Sequence, residues 1–294
     1  MQQHIYKMTD YSDTQLELVR SLEQLCKTAD SSSLRVGVES LKEIGGDEAY
    51  LCLSGGRLTG FLSWYTSDGI EANLNAMVHP DFRRQGIFRS LLQQAAGDMR
   101  IQGLATCRIR VPADSEPGIQ AARELGAEFA TAQYTMMLNR REITEASQSA
   151  PQVHHLVIRR EETRDSGFMI ACLSQAFSDS EEWTRSYLAH TAAPDRVTYI
   201  AESGSEPAGM IRIHYPGHSL AVIHDFCVLP AQQGKGIGGQ MLSTVVDLLK
   251  QQAELMVRLS VVTNNIQALK LYGNSGFEIT AESHYYVILL SRLS

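Results

Sequence analysis

Between Gln233 and Gly239, four glycines, Gly234, Gly236, Gly238 and Gly239, surround one lysine, Lys235. A backbone so free of Cβ atoms curls tightly and exposes its N–H groups. The run that follows, Gln240 to Lys250, carries Met241, Leu242, Val245, Val246, Leu248 and Leu249 at helical spacing. The turn therefore feeds a helix N-terminus, where free amides and the helix dipole favour a phosphate or pyrophosphate. The preceding segment reads as a strand closed by Pro230. That strand holds His224 and Asp225, two groups able to move protons. Strict alternation puts His224 on one face with Phe226 and Val228.

Two familiar phosphate-binding patterns fail here. Gly234, Gly236 and Gly239 satisfy G-x-G-x-x-G, but a dinucleotide site needs an acid about 20 residues on, at the end of the next strand. Glu254 instead precedes that strand, Leu255 to Thr263. Lys235 is not followed by Ser or Thr, so the Walker pattern is absent.

Gln233, Gly236 and Gly238 do fit Gln or Arg, two residues, Gly, one residue, Gly or Ala, preceded by the strand F-C-V-L-P. Downstream, Asn265, Ala268, Leu271, Tyr272, Gly276 and Phe277 form the run N-x-x-A-x-x-L-Y-x-x-x-G-F. In both blocks the sequence resembles the GNAT family of N-acetyltransferases. The resemblance implies acetyl-CoA as cosubstrate and direct transfer of its acetyl group to a primary amine, with a small molecule favoured as acceptor.

It also implies roles. The strand before the turn would splay from its parallel neighbour, freeing backbone groups of Cys227 and Val228 for the pantetheine chain, with the Val228 amide polarising the thioester. The turn Gln233 to Gly239 would take the pyrophosphate through its amides, with Lys235 adding charge. Tyr272 would be the general acid at the departing sulfur. Asn265 would bond pantetheine, cap the following helix, or both, with Ala268 alongside. His224 is the preferred base; Asp225 or a water chain are the alternatives. Two other readings keep the fold and change the function: a CoA-binding sensor or interaction module without turnover, and an acetyltransferase acting on a protein N-terminus or lysine.

The chain is a tandem repeat. Val78 and Val228, Gly86 and Gly236, and Gly126 and Gly276 are each 150 positions apart. The resemblance thus implies an α/β protein of two tandem GNAT folds, each a mixed, partly splayed central sheet flanked by helices. The expected division is 1–140, a polar linker at 141–152, and 153–294. In copy one, helices are expected at Asp13–Lys27, Phe88–Gln102 and Gly118–Leu125, and strands at Ala49–Leu53, Leu58–Tyr65, Glu71–Val78, Ala105–Val111 and Ala132–Leu138. Copy two repeats the order and closes with strands Phe277–Thr280 and Tyr285–Leu290.

Carried back by 150 positions, Arg83 and Gly86 keep the first half of the pyrophosphate pattern, but Phe88 replaces Gly238. Ala122, Ser115 and Leu74 stand where Tyr272, Asn265 and His224 stand. Copy one is expected to be a degenerate scaffold and copy two the catalyst. Whether copy one holds a second CoA stays open.

The chain has 294 residues and net charge −7, with no basic run, so no nucleic-acid partner is expected, and no stretch approaches about 20 consecutive apolar residues, so no membrane partner is expected either. Its opening lacks a signal peptide's apolar core, which points to the cytoplasm. Five scattered cysteines without a C-x-x-C pair read as reduced core residues, and no metal site is expected, His154-His155 included. The copies are expected to form an intramolecular pseudo-dimer, with a homo-oligomer possible. Acceptor specificity is expected from Arg164 to His190 and from Tyr285 and Tyr286.

Overall fold

The computed structural model describes residues 3–38, 41, 47–67, 69–139 and 156–293. The expected linker and His154-His155 lie outside the described residues. The chain divides into two compact units, one of Met1–Gln133 with Ala281–Ser294 and one of Tyr134–Thr280.

In chain order the elements are β1 (Gln3–Lys7), α1 (Asp13–Asp30), β2 (Glu48–Ser54), β3 (Arg57–Tyr65), β4 (Glu71–Val78), α2 (Ile87–Ile101), β5 (Thr106–Pro112), α3 (Glu116–Glu124) and β6 (Glu128–Leu138). There follow β7 (Leu156–Arg160), α4 (Ser166–Phe177), α5 (Glu181–His190), β8 (Arg196–Ser203), β9 (Glu206–His214), β10 (Leu220–Val228), α6 (Ile237–Lys250), β11 (Met256–Val262), α7 (Ile266–Asn274) and β12 (Phe277–Leu289). Strand β1 was not anticipated, because five residues with two apolar positions give little periodic signal. The two closing strands expected in copy two are one continuous strand, β12.

In the first unit, β1 to β4 run antiparallel, and β4 pairs β5 in parallel from Glu71↔Thr106 to Leu74↔Ile109. The Ser283–Leu289 part of β12 lies antiparallel to β5. Helices α2 and α3 cover one face through Leu91, Leu92, Ala95, Met99 and Ile119. Helix α1 covers the other through Leu16, Val19, Leu22 and Cys26, whose spacing is the apolar stripe of an amphipathic helix.

In the second unit, β7 to β10 are antiparallel, and β10 pairs β11 in parallel from Leu220↔Met256 to Ile223↔Leu259. The end of β6 stands beside β11, with Met136 buried. Met241, Leu242, Val245 and Val246 of α6 and Tyr272 of α7 pack on one face. Met169, Cys172 and Leu173 of α4 pack on the other, against Ile200, Met210 and Cys227, with Leu188 of α5 at the edge. The packing units and the sequence copies thus part company at their last strands: β6 ends in the second unit and β12 in the first. No helix among the described residues is long and apolar enough to cross a membrane.

Candidate acetyl-transfer site

The site is built on β10. Its parallel pairing with β11 stops at Ile223↔Leu259, although both strands continue. The expected splay is there, opening between His224–Val228 and Ser260–Val262. On the other side β10 stays paired with β9, but His224 faces Arg212 while Cys227 faces Met210, so three positions on β10 span two on β9. This is a one-residue β-bulge, and Asp225 at its centre has a left-handed φ of 46°.

The bulge overturns strict alternation. His224 aligns with Arg212 on the face covered by α4 and α5, while Phe226 and Val228 pack with the α6–α7 core. Cys227 turns back to the α4 face, its Sγ 3.4 Å from that of Cys172. Cysteines scattered in sequence are here a buried pair.

Leu229 donates its N–H to Ala208 at 2.9 Å, and Val228 is opposite Gly209. By the alternation of an antiparallel ladder, the Val228 N–H and C=O therefore face away from β9, into the gap, and those of Cys227 face β9. Gly209 allows the close approach, since a Cβ there would stand 2.9 Å from the Cys227 carbonyl oxygen. Gln233 Nε2 donates to the Val228 carbonyl at 3.0 Å. The first residue of the pyrophosphate pattern thus closes the carbonyl of the splayed strand and leaves its amide.

Gly234 and Gly236 take φ of 76° and 84°, the left-handed region that glycine enters at little cost. Gly236 is the N-cap of α6 and makes no side-chain cap hydrogen bond. Gln240 N–H reaches back to the Gly236 carbonyl at 3.1 Å, so the amides of Ile237, Gly238 and Gly239 precede the helical ladder. Gly238 would meet only ordinary contacts if it carried a Cβ, the nearest at 3.6 Å from Phe226 and Val228. Protein packing therefore does not require glycine there. Lys235 is exposed, its Nζ 2.8 Å from Gln232 Oε1.

Helix α7 starts at Asn265, whose Oδ1 accepts the Ala268 N–H at 3.1 Å, a regular N-cap. One turn further, Tyr272 is buried between Phe226 and Phe277, with ring centroids 6.3 and 6.2 Å away. Its hydroxyl has no hydrogen-bond partner among the described residues. Burial, with a smaller contribution from Cys227, pushes its pKa up to about 12.

On the other face lies a polar cluster that no motif announced. Asp225 Oδ2 is 3.0 Å from His224 Nδ1 and accepts from Arg212 NH1 at 2.9 Å and from the Tyr187 hydroxyl at 2.9 Å. Burial alone would raise the Asp225 carboxyl, but His224, Arg212 and Tyr187 hold it below the usual aspartate range. Arg212 is 3% exposed and also bonds Thr191 Oγ1 and O. Trp183 stacks on Tyr187 at 5.2 Å. Both lie in the helix expected to shape specificity. Tyr285 and Tyr286, also expected to contribute, belong to the first unit, where Tyr286 is core.

The first unit repeats the geometry with other side chains. Its β4–β5 pairing also stops early, at Leu74↔Ile109. Arg83 Nε donates to the Val78 carbonyl at 3.1 Å, as Gln233 does to Val228, and its guanidinium pairs with Asp30 at 2.6 and 2.9 Å. Gly86 begins α2 at φ 79°, and Arg84 is held at φ 62° where copy two has glycine. Ser115 caps α3 through Gly118, as Asn265 caps α7. Leu74 and Ala122, in the places of His224 and Tyr272, are apolar and buried. A cavity of about 460 Å³, lined by Val78, Arg83, Gly86, Phe88, Ser115 and Ala122 among others, fills this region.

The acetyltransferase (GNAT) family profile matches residues 16–127 and again 157–277. With its doubled splayed sheet and glycine turn, the chain belongs to that family and is an acetyl-CoA-dependent N-acetyltransferase. It is 25% identical over 270 residues to a mycothiol acetyltransferase of Mycolicibacterium vanbaalenii, covering 86% of this chain and 87% of that one. Among solved structures, a tandem GNAT protein from the clavulanic acid biosynthesis pathway superposes with a TM-score of 0.70 at 18% identity, covering 98% of this chain and 99% of that one. A GCN5-related N-acetyltransferase from Sphaerobacter thermophilus does so with a TM-score of 0.77 at 16% identity, covering 97% and 96%. These two likenesses establish the shared fold.

Proposed function

We propose that the second unit transfers the acetyl group of acetyl-CoA directly to the primary amine of a small molecule, and that the first unit is not a catalyst. The observation that carries this is the gap beside β10, where the Val228 amide, the glycine turn and Tyr272 meet one opening. Only the second unit adds to that opening a phenol and an imidazole. Pyrophosphate would sit on the amides at the start of α6, and the pantetheine arm would lie along Val228.

In the transfer, the amine nitrogen attacks the thioester carbonyl and the C=O electron pair moves to oxygen. The Val228 N–H faces that developing charge, an arrangement worth most when water is excluded. The carbonyl then re-forms, the C–S bond breaks, and the sulfur takes a proton from Tyr272. Burial raises the phenol, and the same burial raises a thiolate held beside it, which keeps proton donor and acceptor matched. The proton lost by the amine goes to His224. Its Nδ1 faces Asp225, so the imidazole donates from that nitrogen and keeps its lone pair at Nε2, the basic nitrogen, which lies 3.4 Å from Arg196 NH1 before the amine enters. Asp225 is engaged by three donors and is the poorer base. Its part is to orient the ring.

A second reading concerns the first unit. Its cavity is of a size that holds small ligands and lies where a CoA would lie, which supports a second, unreactive acyl-CoA there. Calorimetric titration of acetyl-CoA into the protein and into Gly236→Glu tests both readings. The substitution forces a side chain onto a left-handed N-cap and puts a carboxylate at the pyrophosphate site. It is expected to abolish one binding site and all thiol release, leaving a second site if the first unit is loaded. Thiol release that survives Gly236→Glu would refute the assignment of catalysis to the second unit.

A further inference from the structure

The face of the second unit that carries His224 is a row of cations. Arg196 pairs across β8 and β9 with His214, His214 with Val222 of β10, and Val222 with Arg258 of β11. Residues directly opposite one another point to the same face, so Arg196, His214, Val222 and Arg258 form one cross-strand row. The next row contains Thr198, Arg212 and His224. Arg196 NH1 is 3.4 Å from His224 Nε2, which places its guanidinium on this face beside the base.

Most cations in these rows are answered. Arg212 meets Asp225 at 2.9 Å, and His214 meets Asp195 at 3.0 Å. Elsewhere in the chain, Arg83, Arg108 and Arg159 each meet carboxylates. Arg196 and Arg258 are different: among the described residues neither has an acidic partner. Arg258 is half-buried, and burial lowers its pKa with no opposing charge to restore it. Withdrawing the Arg258 guanidinium from water without an anion is costly, and a face that holds it in one cross-strand row with Arg196 is complementary to an anion from outside.

Three strand spacings of about 4.8 Å separate the Arg196 and Arg258 backbones by about 14 Å. Two long forked side chains are able to reach toward one another from either end of that row, across the short side chain of Val222. We propose that the acceptor is an amine that also carries an oxyanion, a carboxylate or a phosphate, held by Arg196 and Arg258 over Val222 with its amine toward His224 and the gap. This rests on the acetyl-transfer reading of the second unit. The same two cations favour the acceptor as free amine over ammonium, the form that can attack a thioester.

The test is thiol release from acetyl-CoA by the full chain with matched amine pairs: amino acids against their amides, and phosphate-bearing amines against the parent alcohols. The oxyanion member of a pair is expected to show a KM at least tenfold lower. Arg196→Gln and Arg258→Gln are each expected to erase that ratio, raising KM for the charged amine tenfold or more while KM for its neutral partner and acetyl-CoA affinity stay within twofold. Because each variant is read as a ratio between two amines, loss of folding cannot imitate the result. Equal KM within pairs, or equal losses for both members, would overturn the oxyanion assignment and leave acetyl transfer standing. No thiol release with any amine, while acetyl-CoA still binds, would overturn both. Carboxylate and phosphate are separated by whichever series keeps the ratio.

Discussion

Replacing Tyr272 by phenylalanine is the sharpest test of the proposed chemistry, because the structure separates what the hydroxyl does for folding from what it would do for transfer. The ring packs against Phe226 and Phe277, and phenylalanine keeps those contacts. The hydroxyl has no protein partner among the described residues, so its removal orphans no donor or acceptor. Stability should therefore change by no more than about 0.5 kcal/mol. A positioned general acid contributes roughly 100- to 10,000-fold in rate, or about 2.7 to 5.4 kcal/mol of barrier. Turnover in a thiol-release assay should fall by that factor, with acetyl-CoA affinity by calorimetry unchanged within about twofold. The pH profile adds a second check. A donor must be protonated, and burial has pushed this phenol up to about 12, so its deprotonation should cost activity only as pH nears that value. An unchanged rate, or a rate that falls in step with acetyl-CoA affinity, would remove Tyr272 from the mechanism.

Two further substitutions probe the scaffold under the site. Asp225→Asn keeps a residue that tolerates the left-handed φ of 46° but leaves the buried Arg212 without its anion, a loss of about 3 to 5 kcal/mol at neutral pH. The folded pKa of Asp225 lies below its unfolded value, so its stabilisation is present above about pH 3.9 and fades as pH falls toward the lower folded value. Urea unfolding should show the deficit of Asp225→Asn shrinking in that acid range; a deficit independent of pH would contradict the charge argument. Gly209→Ala puts a Cβ 2.9 Å from the Cys227 carbonyl oxygen and 3.2 Å from the Val228 side chain. It should cost about 1 to 3 kcal/mol and lower turnover by moving the Val228 amide; a variant with wild-type stability and rate would show that β9 need not approach so closely.

The elements were largely legible because each has a local cause. The apolar residues Leu16, Leu18, Val19, Leu22 and Leu25 announce α1, of which Leu16, Val19 and Leu22 are buried, and the glycines clustered before an apolar helical run announce the turn into α6. Asn265 is read as a cap from its place before α7, and it is one. His224 shows the limit. The alternation that put it with Phe226 and Val228 holds only in a regular strand, and a single extra residue at Asp225 reverses the face of everything beyond it. Nothing local marks that residue, since bulge and ladder differ in pairing with β9. The partners of Asp225 were hidden for a related reason: Tyr187 and Arg212 lie 38 and 13 positions away.

The sequence by itself determined the doubled fold, the glycine turn, the Asn265 cap and the contrast between a copy with Tyr272 and one with Ala122, because motif spacing and backbone preference act over a few residues. Tertiary structure decided the rest. It exchanged the closing strands, so that β12 ends in the first unit and β6 in the second. It put the bulge at Asp225, and it gathered Arg196, His214 and Arg258 into one row. These depend on which strand lies beside which and in what register, and register is set by packing across residues far apart in the chain.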